Sequence, residues 1–131
     1  MKHTHILAAI ALTTGAVAAS QPAAAYPLKI TGRSLASSQL AVDLLSRIAD
    51  YSARTGGCRM LFSAHREIMP RSYVARQPTR PALALGGHFE LWTVNACAAK
   101  QRFQIAMWPS PRGGADYAIT PLTGRMSLLA R

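Results

Sequence analysis

Two echoing tripeptides, His65-Arg66-Glu67 and His88-Phe89-Glu90, each place an imidazole two residues ahead of a carboxylate. On an extended strand, residues i and i+2 share a face, so each His/Glu pair can converge. Side by side, the two segments would offer two imidazoles and two carboxylates, a donor set suited to zinc or a similar ion. Only the second tripeptide lies in a stretch with clear strand alternation. The plainer expectation pairs Glu90 with an arginine and leaves His88 at a strand edge.

Acid–base or nucleophilic catalysis needs converging carboxylates, or a nucleophile beside its base. Beyond residue 25 the acids are Asp43, Asp50, Glu67, Glu90 and Asp116. Asp43 and Asp50 belong to the polar side of a helix, within reach of Arg47 and Arg54. No Gly-x-Ser-x-Gly element occurs, and Ser34, Ser37 and Ser38 read as cap residues. Gly56-Gly57, Gly86-Gly87 and Gly113-Gly114 read as turn punctuation rather than phosphate loops. The expectation is a non-catalytic domain without a cofactor. The alternative is a small metal-dependent or hydrolytic enzyme built on His65, Glu67, His88 and Glu90.

Cations are plentiful: 15 Lys+Arg stand against 5 Asp+Glu, for a formal net charge of +10. Arginine suits planar anions such as carboxylate and phosphate. Arg71, Arg76 and Arg80, in the proline-rich run from Pro70 to Pro81, are the expected anion contacts, with Arg112 in the turn Pro109 to Gly114. Such a charge attracts an anionic envelope component, and an exposed loop of this kind also suits another exported protein as partner. The competing reading is that the excess charge serves solubility alone. Nucleic acid is disfavoured, because export removes the protein from most of it and no recognition motif is visible.

The elements that must position these residues follow from periodicity. Residues 1–25 read as an export signal: Lys2 opens it, Ile6 to Ala19 is uncharged, and Ala23-Ala24-Ala25 offers small residues for cleavage before Tyr26. The apolar run falls short of the roughly 20 residues a spanning helix needs. Residues 26–131 then form a single domain, periplasmic or secreted. Leu40, Leu44, Ile48 and Tyr51 make one face of a helix of about 16 residues. Ser37 or Ser38 can cap it, and Gly56-Gly57 can end it.

Tyr26 to Gly32 reads as a lead-in or edge strand, and Cys58 to Phe62 as a short strand or a turn. Pro70 to Pro81 reads as an exposed loop. Period-two alternation from Gly86 to Cys97, a turn at Ala98 to Gln101, alternation from Arg102 to Trp108, and a strand from Asp116 to Thr120 predict an antiparallel meander. Met126 and Leu128 allow a last short strand. The fold class is α+β: one amphipathic helix on a three- to four-stranded antiparallel sheet. Of Trp92 and Trp108, at least one is expected in the core.

Cys58 and Cys97 are the only cysteines. Outside the cytosol, an even pair in a small domain implies one disulfide, here joining the helix end to the end of the first meander strand. A metal pair or a catalytic thiol are the competing uses, and neither gains support from a CxxC spacing. The loop-entropy relation assigns roughly 4 kcal/mol to closing about 40 residues.

The run Glu90-Leu91-Trp92-Thr93-Val94-Asn95-Ala96-Cys97, followed by a strand and then Pro109 to Gly114, resembles a pattern in small exported bacterial proteins of uncharacterised function. These share a Glu-x-Trp-x-Val-x-x-Cys strand and a Gly-Gly turn before the last strand. The likeness covers Glu90 to Ile119, and Ala98 stands where that pattern usually has Gly. It implies export and a disulfide-tied sheet, and it carries no catalytic residue.

Overall fold

A computed structural model of the chain describes residues 28–77 and 79–128. The export signal expected at residues 1–25, with its cleavage before Tyr26, lies outside the described residues. Strand β1 (Lys29–Gly32) leads into helix α1 (Ser38–Arg54). The side-chain oxygen of Ser37 accepts the Leu40 N–H at 3.2 Å, and this cap sets where the helix begins. Ala41, Leu44, Leu45 and Ile48 recur at helical spacing and are all buried.

Strand β2 (Leu61–Ile68), helix α2 (Arg80–Ala84) and strands β3 (His88–Ala96), β4 (Ala99–Pro109), β5 (Ala115–Pro121) and β6 (Met126–Ser127) complete the element order. The sheet runs β1-β2-β3-β4-β5, and β6 adds to β4 off this path. All pairings are antiparallel except β1 with β2, which is parallel. A parallel pair requires a crossover, and α1 supplies it. The architecture is α+β, with six strands rather than the three or four expected, and with one parallel edge.

The added strands are those whose sequence hides the alternation. In β2 the register shifts between Leu61 and Ser63, so an extra residue interrupts the period. His65 and Glu67 are polar outward, and Arg66 puts a charge on the inward face as well. The tripeptide His65-Arg66-Glu67, which lacked clear alternation in the sequence, thus lies on a regular strand. The β3–β4 turn is also tighter than expected. Ala96 pairs with Ala99, so Cys97 and Ala98 alone form the loop, and β4 runs from Ala99 instead of Arg102.

The main core lies between α1 and the sheet. Leu44, Ile48, Trp92, Val94, Phe103 and Ile105 are each at most 1% exposed. Trp92 is thus a core residue, and Tyr117 and Ile119 pack inward as the alternation requires. Fully burying an aliphatic or aromatic side chain of this size contributes roughly 1.5–3 kcal/mol. The opposite face carries a smaller cluster of Ala82, Phe89 and Ala106, with Tyr73, Ala75 and Trp108 packed against it. Residues 69–77 and 79–87 lie across this face, so the described part of the Pro70 to Pro81 run is a partly packed layer and not a simple exposed loop. Its last residues enter α2, where Pro81 in the first turn needs no backbone donor.

Cys58 and Cys97 form the disulfide, with Cα atoms 6.0 Å apart and 39 positions between them in sequence. It joins the chain just after α1 to the β3–β4 turn, as expected. No helix among the described residues is long and apolar enough to cross a membrane.

Candidate functional site

Period two places His88, Glu90 and Trp92 on the α1 side of β3, and the main core closes over Glu90 completely. Burial of a carboxylate is costly unless its oxygens are filled by donors. Four donors are supplied. Glu90 Oε1 accepts the Leu35 N–H at 2.7 Å and faces His88 Nε2 at 3.0 Å. Oε2 accepts from Ser34 Oγ and Trp92 Nε1, each at 2.7 Å. Ser34 Oγ in turn accepts the Ala36 N–H at 3.0 Å. Glu90 therefore fastens the β1–α1 connection to the middle of the sheet. The arginine expected beside it is absent from this set; Arg66 lies instead over the Trp92 ring, 5.7 Å from its centroid.

The four residues of the expected metal site do not meet. Register pairs His65 with Thr93 and Glu67 with Leu91. Directly paired residues share a face, so His65 and Glu67 look away from the α1 side, where His88 and Glu90 lie. The sheet separates the two pairs. His65 is held instead at the edge, with Nδ1 2.9 Å from Thr31 Oγ1. Among the described residues, no three His, Cys, Asp or Glu side chains converge to hold a metal ion. Both cysteines are in the disulfide, so neither is a thiol nucleophile. Asp50 pairs with Arg59 rather than Arg47 or Arg54, and Asp43 accepts from Gln39 at 3.1 Å.

The arginines expected to meet anions are all exposed, three in the outer layer and one in the β4–β5 turn. Arg71, Arg76 and Arg80 are exposed along the 69–87 layer, which has no acidic residue. Arg76 Nη1 donates to the Leu122 carbonyl at 2.7 Å, which steadies its stem along the sheet. Arg112 is exposed in the β4–β5 turn. Gly86, Gly87 and His88 share a depression of about 220 Å³ with Trp108, Pro109 and Gly114, so that turn borders the Gly86–Gly87 end of the layer. The sequence did not single out the apolar side chains interleaved with these cations. Val74 is 88% exposed, Leu83 63% and Leu85 51%. Inward-facing Tyr73, Ala75 and Ala82 alternate with them, and that alternation was the available signal.

Beneath the layer lies a cavity of about 440 Å³. Met69, Leu83 and Phe89 supply apolar wall, and Arg71 and Tyr73 supply polar groups. Gly87 allows the wall to close, since a Cβ there would collide with the carbonyls of Met107 and Ala82. In comparisons with protein-family models, curated proteins and solved structures, the chain matches none.

Proposed function

We propose that this chain is an exported, non-catalytic domain that docks on an anionic, phosphate-bearing envelope surface through the 69–87 layer. The observation that carries this reading is the interleaving of exposed Val74, Leu83 and Leu85 with Arg71, Arg76 and Arg80 in a segment free of acids. Apolar side chains that enter a lipid interface gain burial, while nearby cations meet headgroup phosphates. Each basic residue at an anionic surface contributes about 1 kcal/mol. The disulfide and the leader-like residues 1–25 support an address outside the cytosol.

Cosedimentation with phosphatidylglycerol-containing vesicles and with phosphatidylcholine vesicles tests this. Binding is expected only to the anionic vesicles, and it should weaken steeply as salt shortens the screening length to about 3 Å at 1 M. Changing Arg71, Arg76 and Arg80 together to Ala should weaken it by about 3 kcal/mol, roughly a hundredfold. Val74→Ser should weaken it at every salt concentration. Equal binding to neutral vesicles, or full binding by the triple variant, would overturn the reading.

A further inference from the structure

We infer that the part of the outer sheet face left open by the 69–87 layer is a binding surface for an acidic oligosaccharide, a chain of sugar rings that carry carboxylates. The layer covers the outer side of Phe89, Gln104 and Ala106. Beyond it, register sets two transverse rows of side chains. One runs Thr31, His65, Thr93, Arg102 across β1 to β4, and the next runs Lys29, Ser63, Asn95, Lys100. Paired residues share a face, and alternation puts both rows on the side away from α1. All eight are exposed or half-buried, whereas Trp92, Val94 and Phe103 behind them are in the core.

Side-chain chemistry specifies the ligand. Lys29, Lys100 and Arg102 have no ion-pair partner among the described residues. Neither row holds a carboxylate; Glu67 lies one row nearer the layer, paired with Leu91. Neighbouring strands stand about 4.8 Å apart, so Lys29 and Lys100 bracket a span of roughly 14 Å. Between the cations stand neutral donors and acceptors, the hydroxyls of Thr31, Ser63 and Thr93 and the Asn95 amide. Asn95 Oδ1 is out of water without a hydrogen-bond partner, so part of this capacity is not spent inside the fold. Thr31 Oγ1 holds His65 Nδ1 at 2.9 Å, which fixes the ring within its row. Cations at the margins suit carboxylates, and the hydroxyl and amide groups between them suit sugar hydroxyls. None of the eight is Phe, Tyr or Trp, so the rows lack the stacking platform of a single-stranded nucleic-acid site. They also lack apolar side chains of the kind that enter a lipid interface, unlike Val74, Leu83 and Leu85.

This surface does not depend on membrane docking. Lipid-free titration calorimetry tests it with oligogalacturonate, neutral dextran and a thymidine oligonucleotide of equal charge. Oligogalacturonate should bind at least about tenfold more tightly than the oligonucleotide, and dextran should not bind. Two variants that each remove three cations separate a site from net charge. Lys29→Gln, Lys100→Gln and Arg102→Gln together should weaken oligogalacturonate binding at least about tenfold. Arg71→Ala, Arg76→Ala and Arg80→Ala together should weaken it less than about threefold. Thr93→Val keeps shape and charge and should cost about threefold through the lost hydroxyl. Each variant should keep the far-UV spectrum of the parent; if the Gln triple fails to fold, Thr93→Val and the Ala triple decide. No oligogalacturonate binding, equal weakening by the two triples, or a Thr93→Val affinity equal to the parent's would overturn the proposal. Oligonucleotide binding as tight as that of oligogalacturonate would also overturn it and assign the face to nucleic acid. The two proposals separate cleanly. Val74→Ser should weaken vesicle binding and spare oligogalacturonate, whereas Thr93→Val should do the reverse.

Discussion

Glu90 sits where a hydrophobic side chain would be expected and is kept there by donors brought from three places. Trp92 and His88 come from its own strand face, while Ser34 and the Leu35 amide come from the β1–α1 connection. A hydrogen bond to a charged group contributes about 1.5–3 kcal/mol, and a donor left facing a donor in the core costs more than the bond it replaces. Glu90→Gln should therefore lower the unfolding free energy by about 2–4 kcal/mol, because the new amide N–H2 must confront Ser34, Leu35, Trp92 or His88. Ser34→Ala, which leaves three donors, should cost only about 1–2 kcal/mol. Urea denaturation gives both values, and a Glu90→Gln midpoint equal to that of the parent would show that the carboxylate is not structural. Strand alternation was enough to put His88, Glu90 and Trp92 on one face. It could not supply Ser34 or Leu35, which lie more than fifty positions upstream and reach Glu90 only through the path of the chain. The same blindness to path explains the misjudged metal site: two His-x-Glu motifs are alike locally, but register puts one pair on each side of the sheet.

At the scale of elements, the most exposed weakness is the β3–β4 hairpin. Its two loop residues, Cys97 and Ala98, have φ of 50° and 59°, the left-handed region that a two-residue type I′ turn demands. An L-residue pays about 1–2 kcal/mol there. Cys97 must remain, since its sulfur closes the 39-position loop to Cys58. Ala98 has no such duty, its side chain being exposed. Ala98→Gly should raise stability by about 0.5–1 kcal/mol once the larger entropy of glycine in the unfolded chain is deducted. Thermal unfolding of the oxidised protein measures it, and a lowered midpoint would mean the turn is not strained at this residue. Helix α1 and strands β3, β4 and β5 were legible because their apolar periods are unbroken. Strand β2 was not, because a bulge and the inward Arg66 break its period, and α2 was not, because five residues opening on Arg80-Pro81 are too few to display one.

Across the whole molecule, two layers of unequal strength share one sheet. The α1 side is a continuous apolar core, whereas the 69–87 layer rests on a few small contacts around Phe89 and on a few polar ties, of which one is a buried clasp. That clasp is Gln104, 1% exposed: its Oε1 accepts from Tyr73 Oη and the Arg76 N–H, each at 2.9 Å, and its Nε2 donates to the Arg76 carbonyl at 3.1 Å. Local opening follows local burial and hydrogen bonding, so the layer should open far more often than the sheet beneath it. The proposed docking needs such a division, since a layer that inserts apolar side chains must move over a frame that does not. Hydrogen–deuterium exchange should find the amides of β3 and β4 slowest and those of residues 71–77 fastest among the structured segments. Gln104→Leu keeps the volume but strips the clasp, leaving the Arg76 backbone and Tyr73 hydroxyl without their partner at a local cost of about 1–3 kcal/mol. It should speed exchange in 71–77 by roughly five- to a hundredfold while leaving the centres of β3 and β4 unchanged. If exchange rises equally in both layers, the molecule unfolds as one unit, and the layer cannot serve as a moving cover.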